Sequence, residues 1–380
     1  MDNFDAVVIG AGPAGSTTAR QIAEAGYSVC MIEKDGSPGQ SNVCAGGYPK
    51  FILKSLGLGS EITEKTITGT EHYFPWGLDS RSFQEKDYHA TSYRSVLDKA
   101  IAEKAVASGA ELRNTTIASD VIIKNNRVYT HVENLISKDK SIIESDLIIF
   151  ADGPNTLARK FNIGFIPRKN NTAVSIVCEV EWEGNPSNNY ELYFDPGIAK
   201  WGYGWIFPRK NTANVGLGCL YSESDDLIKS LNYLMNEHPV AKKKLIGRKI
   251  RFLRSSIIPA EPAGKIFDDS ILVVGDAAGM VDPITGGGIA HAIQGGKIAG
   301  NIAVKALEKK DFSQNFLSQY QKEWEKTNNF RLLKQLFIDS RIFLSLSKFD
   351  KNAYSKLFYF AGLQQGPKGL LSNPTVLLYK

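Results

Sequence analysis

Two glycine-rich turns carry the residue types best suited to holding a charged cofactor. Gly10-Ala11-Gly12-Pro13-Ala14-Gly15 has the spacing GxGxxG. It follows an apolar β-type run, Asp5 to Gly10, and opens a segment from Pro13 to Gly26 whose Ala14, Ala19, Ile22 and Ala23 recur at helical spacing. In such a turn Gly10 permits the tight bend, Gly12 lets the main chain approach a pyrophosphate, and Gly15 lets the helix pack close to the sheet. The helix N-terminus offers unpaired N–H groups to the phosphates. Glu33 ends the next apolar run, Ser28 to Glu33. There an acid can bind ribose hydroxyls and would repel the 2′-phosphate of NADP. The plain alternative is a glycine turn with no nucleotide, and the strand–turn–helix setting weighs against it.

The second turn is Gly275-Asp276-Ala277-Ala278-Gly279, followed by Asp282-Pro283-Ile284-Thr285-Gly286-Gly287-Gly288. It lies between the apolar run Ile271 to Val274 and a helical stretch carrying Ile289, Ala292 and Ile293. Asp276 can accept a hydrogen bond from a ribityl hydroxyl. The main chain from Gly286 through Gly287 and Gly288 to Ile289 can aim N–H groups at a flavin ring, where negative charge develops on reduction. Alone, this would read equally well as a capped turn with Asp276 as a turn residue. Beside the first motif it points to FAD.

Three further features sit between these turns. Tyr203, Trp205 and Phe207 alternate with Gly204 and Ile206, so on a strand the three rings face one way. Such a wall suits an apolar chain with double bonds, and plain sheet core is the competing reading. Cys44, as a lone cysteine, reads first as a small buried hydrophobe. Arg94 lies in the first turn of a helix expected from Ser92 to Gly109, where a solvated helix face is the usual fate.

The elements that must position these residues imply an α/β fold. A Rossmann-type FAD-binding domain, residues 1–70, 90–160 and 265–310, is expected to be interleaved with a β-rich substrate domain, 71–89 and 161–264. The β-rich block is clearest from Thr172 to Leu220. Residues 311–380 are expected to form a helical C-terminal region, clearest from Trp324 to Phe360, with Leu332, Leu333, Leu336, Phe337, Phe343 and Leu344 as its apolar positions. This stretch is basic and apolar. It can lie on a membrane surface or, the stronger expectation, pack against the rest of the protein.

Composition narrows the class. Of 380 residues, 43% are hydrophobic and 22% charged, which suits a globular chain long enough for two domains. The net charge of +5, from 45 basic and 40 acidic residues, is too mild to imply nucleic acid. Cys30, Cys44, Cys178 and Cys219 include no CxxC pair and no zinc-ligand spacing, so no metal is expected and a reduced setting is the default. The start of the chain shows no signal peptide, and no stretch reaches the about 20 apolar residues of a bilayer span. The expected place is cytoplasmic, with any membrane contact peripheral and on the inner face.

With these residues in view, the chain resembles flavoproteins similar to para-hydroxybenzoate hydroxylase. The order of GxGxxG, Glu33, Ala151-Asp152-Gly153 and Gly275-Asp276 carries that likeness. Within the group it resembles the geranylgeranyl reductase family, through Cys44-Ala45-Gly46-Gly47, Tyr203-Gly204-Trp205-Ile206-Phe207-Pro208, and Asp282 to Gly288. The resemblance runs from about Asp5 to about Gly300. It departs at Cys-Ala-Gly-Gly, where relatives often carry Cys-Gly-Glu-Gly or Cys-Gly-Gly. It departs again at Arg209, where a lysine commonly follows Phe-Pro.

The resemblance implies a flavin-dependent reductase that saturates carbon–carbon double bonds of geranylgeranyl chains. The chains would be borne on a diphosphate, a chlorophyll precursor or an archaeal-type glycerolipid. The electron donor would be NAD(P)H or a small carrier such as reduced ferredoxin. The resemblance also implies cofactor contacts from Arg94, from Ala45 and Gly47 of the cysteine motif, and from the backbone of Ala118 at the adenine. It makes Cys44 a catalytic residue near the reactive flavin edge, and Tyr203, Trp205 and Phe207 the substrate wall. An FAD monooxygenase of aromatic or quinone precursors would use the same cofactor motifs, and a non-catalytic flavin-binding protein would need no more than them. Flavin halogenases share the scaffold but typically show Trp-x-Trp-x-Ile-Pro, two residues of which are replaced here by Tyr203 and Phe207.

Overall fold

The computed structural model describes residues 1–41, 43–82, 88–182, 184, 186–346, 349–350 and 352–363. The part of the expected C-terminal region beyond residue 363 lies outside them. The fold is mixed α/β, with three sheets among the described residues.

The first sheet has Asp2–Ile9 at its centre, running parallel to Val29–Ile32 on one side and to Lys140–Phe150 on the other. Ala6, Val7 and Val8 are fully buried, as in a strand covered on both faces. Glu111–Arg113 and Ile271–Val273 extend the parallel set. Thr116–Lys124 and Arg127–Asn134 form an antiparallel meander with the long strand that ends at Phe150. The helices Pro13–Glu24 and Ile289–Lys309 pack so closely that a Cβ on Gly296 would lie 2.5 Å from the Ala14 oxygen, and one on Gly300 2.6 Å from Gln21 Cβ.

The second sheet has seven strands, in the order Ile250–Pro259, Thr172–Glu181, Thr212–Leu220, Gly202–Pro208, Asn189–Tyr193, Gly69–Phe74, Gly77–Ser82. Period-two alternation gives it two apolar faces. Ile176, Cys178, Ile206 and Leu217 pack with Leu231, Leu234 and Leu245 on one side. Val177, Leu192 and Trp205 pack with Phe343, Tyr354, Leu357 and Phe358 on the other. A small third sheet, Gly47–Pro49, His89–Thr91 and Lys65–Ile67, lies between the other two in the chain's course and carries the segment after Cys44.

Among the described residues the C-terminal stretch, expected to be helical from Trp324 to Phe360, is three helices, Gln314–Lys326, Asn328–Leu346 and Ala353–Leu363. Thr327 is extended, and its hydroxyl oxygen accepts from Phe330 N at 3.1 Å, so one helix ends and the next is capped within a residue. Gln314–Lys326 packs on the first sheet, where Tyr320 Oη donates to the Val273 oxygen at 2.9 Å, whereas Asn328–Leu346 and Ala353–Leu363 cover the second sheet through Phe343, Tyr354, Leu357 and Phe358. Leu332 is 41% exposed, whereas Leu333 and Phe343 are buried.

His72, in Gly69–Phe74, is buried against the edges of Phe74, Phe194 and Phe358, with centroids 6.0, 6.1 and 5.5 Å away. Burial pushes its pKa from 6.5 to about 4. The unfolded chain therefore takes up a proton in that window that the folded chain refuses. Stability is expected to fall by about 3 kcal/mol as pH drops from about 6.5 to about 4. His72→Phe should flatten that limb in urea denaturation followed against pH, and an unchanged limb would count against this cause.

Candidate active site

The first glycine turn has the geometry a pyrophosphate requires. Gly10 has φ +98°, and a Cβ there would sit 2.3 Å from the Ala151 oxygen; one on Gly15 would sit 2.0 Å from the Gly10 oxygen. Both positions are closed by packing. A Cβ on Gly12 would meet nothing within 4 Å, so the turn opens onto free space there. The helix that begins at Pro13 has no side-chain cap, so no side chain occupies its first-turn N–H groups. Ala14 is buried behind the turn, 3.0 Å from where a Cβ on Gly275 would lie, which brings the two motifs together.

Glu33 is buried beside the same turn. Its Oε2 accepts from Ala11 N at 3.1 Å and its Oε1 from Asp35 N at 3.0 Å. Burial raises its pKa against these bonds. Its main-chain oxygen accepts from Thr116 N at 2.9 Å, which draws the edge strand Thr116–Lys124 to this end of the sheet. Ala118 lies on that strand, buried and opposite Val132.

Asp276 sits in the one-turn helix Gly275–Ala278, directly after Ile271–Val273. Burial raises its pKa, and Arg94 opposes the rise. No hydrogen bond to its carboxylate occurs among the described residues, so an acceptor is held ready for a ligand. A Cβ on Gly288 would lie 3.5 Å from Asp276 Oδ1. Asp282 shapes the approach: its Oδ1 accepts from Ile284 N at 2.8 Å and Thr285 N at 3.1 Å, and its N–H donates to the Gly287 oxygen at 3.0 Å. Gly288 then caps Ile289–Lys309 without a side-chain bond, leaving a second open helix N-terminus. Ile289 itself is buried against the cluster around Tyr48 and Leu97. Two uncapped helix starts, an open glycine and an unsatisfied carboxylate fit the phosphates and polyol of FAD.

Arg94 begins the helix Arg94–Ala107, two residues later than predicted, and is held by two bonds to Asp98, 2.7 and 2.8 Å. It also faces Cys44. Burial would lower its pKa, but Asp98 and Cys44 together raise it. It is thus a fixed cation between Cys44 and Asp276, not a solvated helix-face residue. Cys44 is half-buried, and its sulfur accepts from Gly46 N at 3.3 Å. Burial sends the thiols of Cys30 and Cys178 up to about 12 and that of Cys219 up to about 11.

Tyr203, Trp205 and Phe207 do share one face, with centroids 5.8 Å apart for the first pair and 6.5 Å for the second. The tertiary structure nevertheless divides them. Tyr203 and Trp205 line an apolar cleft with Trp201, Ile284, Phe337 and Tyr354. Phe207 is not among the residues lining it. It stacks on Tyr190 at 4.0 Å, where a Cβ on Gly47 would lie 2.8 Å from its ring.

A buried polar cluster at the end of this strand is absent from the sequence-based expectations. Arg209 and Glu179, 2% and 1% exposed, form an ion pair, and Glu179 also accepts from Thr212. Arg209 Nη2 donates to Ala45 O at 3.1 Å and reaches Ser92 O at 3.4 Å, and its guanidinium lies 4.3 Å over the Tyr93 ring. It therefore clamps the Cys44 loop and the start of the Arg94 helix to the second sheet. The available signal was Glu179 itself, a carboxylate within the apolar run Ile176 to Val180, where a buried charge needs a partner.

The FAD binding domain family matches residues 3–327. The digeranylgeranylglycerophospholipid reductase of Methanocaldococcus jannaschii is 32% identical over 341 residues, 88% of this chain and 85% of that one. A protein of the same name, numbered 2, from Methanothermobacter thermautotrophicus is 34% identical over 333 residues, 85% and 83% of the two chains. The crystal structure of a geranylgeranyl bacteriochlorophyll reductase-like protein from Thermoplasma acidophilum superposes with a TM-score of 0.84 at 25% identity, covering 100% of this chain and 95% of the other. With its cofactor turns in place and these relatives matched over most of its length, the chain belongs to the FAD-binding-domain family and is a flavin-dependent oxidoreductase akin to the geranylgeranyl reductases.

Proposed function

We propose that the protein reduces carbon–carbon double bonds in geranylgeranyl chains of a lipid or prenyl diphosphate. The observation that carries this reading is the apolar cleft lined by Trp201, Tyr203, Trp205 and Tyr354 and closed on one side by the loop from Asp282 to Gly286. The names of its relatives point the same way. Bound FAD, once reduced by NAD(P)H or by a carrier such as reduced ferredoxin, supplies the hydride.

The protein's own residues have separate tasks. Residues 1–70, 90–160 and 265–310 hold the cofactor. Gly10, Gly12, Ala14 and Gly15 form the pyrophosphate turn, Glu33 takes the ribose and the Ala118 backbone the adenine. Asp276 takes the ribityl chain, and Gly288 and Ile289 present N–H groups to the ring; the Gly287 N–H donates to Thr285 Oγ1 at 3.2 Å, so Gly287 contributes by letting the main chain come close. Ala45, Gly47 and Arg94 close the cofactor site from the other side. The β-rich residues, 71–89 and 161–264, supply the substrate wall: Tyr203 and Trp205 hold the chain, and Phe207 supports the Cys44 loop through Gly47.

An isolated alkene is a poor electrophile, so positioning and a proton donor must lower the barrier. Cys44 lies between Arg94 and the aromatic wall. A thiolate left there after proton transfer would face the Arg94 guanidinium. No helix among the described residues is long and apolar enough to cross a membrane. Contact with a lipid surface would instead use the helix Asn328–Leu346, where Ile338 and Ile342 are exposed.

The test is anaerobic. The FAD-loaded protein is reduced with dithionite and given a geranylgeranyl lipid or geranylgeranyl diphosphate. Reoxidation of the flavin without oxygen, with product gaining two mass units per bond, is expected. Flavin that stays reduced until air is admitted would replace this reading with a monooxygenase.

A further inference from the structure

Arg341 stands where two clefts join. The apolar cleft runs past Tyr203, Trp205 and Tyr354; a polar cleft beside it is lined by Arg168, Asn171 and Glu261, and Phe337 and Arg341 border both. In the polar cleft Arg168 Nη2 lies 2.6 Å from Glu261 Oε2, and Asn171 Nδ2 donates to the same oxygen at 2.8 Å. Those two charges cancel. Arg341 differs: its Nη1 donates to the Asn170 main-chain oxygen at 2.9 Å, its guanidinium lies 6.0 Å from the Phe337 ring, and no carboxylate is paired with it among the described residues. The polar cleft therefore holds one uncompensated positive charge, half-buried and oriented by a main-chain bond. A guanidinium keeps most of its planar fork of donors free in this arrangement, and that fork matches phosphate oxygens.

We propose that Arg341 binds the phosphate or diphosphate head of an amphiphilic substrate whose hydrocarbon chain runs into the apolar cleft toward Tyr203 and Trp205. The assignment deepens the prenyl-reductase reading and rests on it. It makes the cleft mouth the place where a charged head is told from an uncharged one. It also sets which end of the chain lies outward.

Trp201 and Trp205 line the cleft, so tryptophan fluorescence of the full-length, FAD-loaded protein can report its occupancy. The probes are geranylgeranyl diphosphate, geranylgeraniol and inorganic diphosphate. The wild type should bind the diphosphate ester about tenfold or more tighter than the alcohol, as expected for charge-assisted bidentate contacts. Arg341→Gln should remove most of that preference and leave the affinity for the alcohol unchanged. Removing the neutral pair as a whole, Arg168→Gln together with Glu261→Gln, should keep the preference. The assignment is overturned if Arg341→Gln retains the preference or weakens both ligands equally. Inorganic diphosphate that binds through Arg341 without competing with the ester would also overturn it, by marking a free-anion site. If the wild type binds neither prenyl ligand, the prenyl-reductase reading fails along with it, an outcome distinct from loss of head-group selectivity alone.

Discussion

Gly12→Asp is expected to give a folded protein that has lost its yellow colour. Nothing lies within 4 Å of a Cβ at Gly12, and its φ of −72° suits any L-residue. The position is also the N-cap of Pro13–Glu24, where aspartate is among the best residues. The substitution should therefore leave the cofactor-free protein as stable as wild type, or slightly more so. The added carboxylate would stand where the pyrophosphate must lie. Two like charges at about 4 Å repel by about 4 kcal/mol near a protein surface, roughly a thousandfold in the FAD dissociation constant. Gly15→Asp is the contrast: its Cβ would lie 2.0 Å from the Gly10 oxygen, so that variant should fail to fold. The measurement is FAD affinity beside the melting temperature of the cofactor-free proteins. A Gly12→Asp protein with wild-type FAD affinity would mean that the pyrophosphate is bound elsewhere.

Arg209→Met is expected to cost about 3–5 kcal/mol of stability, the usual consequence of leaving one partner of a buried ion pair alone. Glu179 is 1% exposed and is held by the Arg209 guanidinium and the Thr212 hydroxyl. Adding Glu179→Met should restore most of the loss, because an apolar pair of similar volume removes the uncompensated charge. Function should not return with stability. The bonds from Arg209 to Ala45 O and Ser92 O hold the Cys44 loop to the sheet, and methionine cannot make them. Cys44 should react faster with a thiol reagent in the double variant, while the buried Cys30, Cys178 and Cys219 stay protected. Urea denaturation and timed thiol labelling separate the two effects. A double variant with wild-type stability and wild-type Cys44 reactivity would show that the clamp is not needed.

The sequence by itself determined the parts of this protein whose causes are local. GxGxxG between an apolar run and a helical period fixes a strand, a turn and a helix start, because each glycine is required within a few residues of its neighbours. The same holds for Gly275-Asp276 and the glycines before Ile289. Alternation placed Tyr203, Trp205 and Phe207 on one face, since a strand allows no other arrangement. The two candidate cofactor turns are local units of this kind.

What only the tertiary structure decided depends on which distant segments meet. The C-terminal helices bring Phe337 and Tyr354 against Tyr203 and Trp205, and so separate both from Phe207, which turns to Tyr190. Strand order in the second sheet sets Glu179 beside Arg209 and Thr212. Arg94, which by spacing alone is a surface helix residue paired with Asp98 one turn on, becomes a half-buried cation of the site because Cys44 and Asp276 come to it from distant segments. None of these pairings has a period or a motif. They arise because buried charges and aromatic edges must find partners wherever the packed sheets and helices place them.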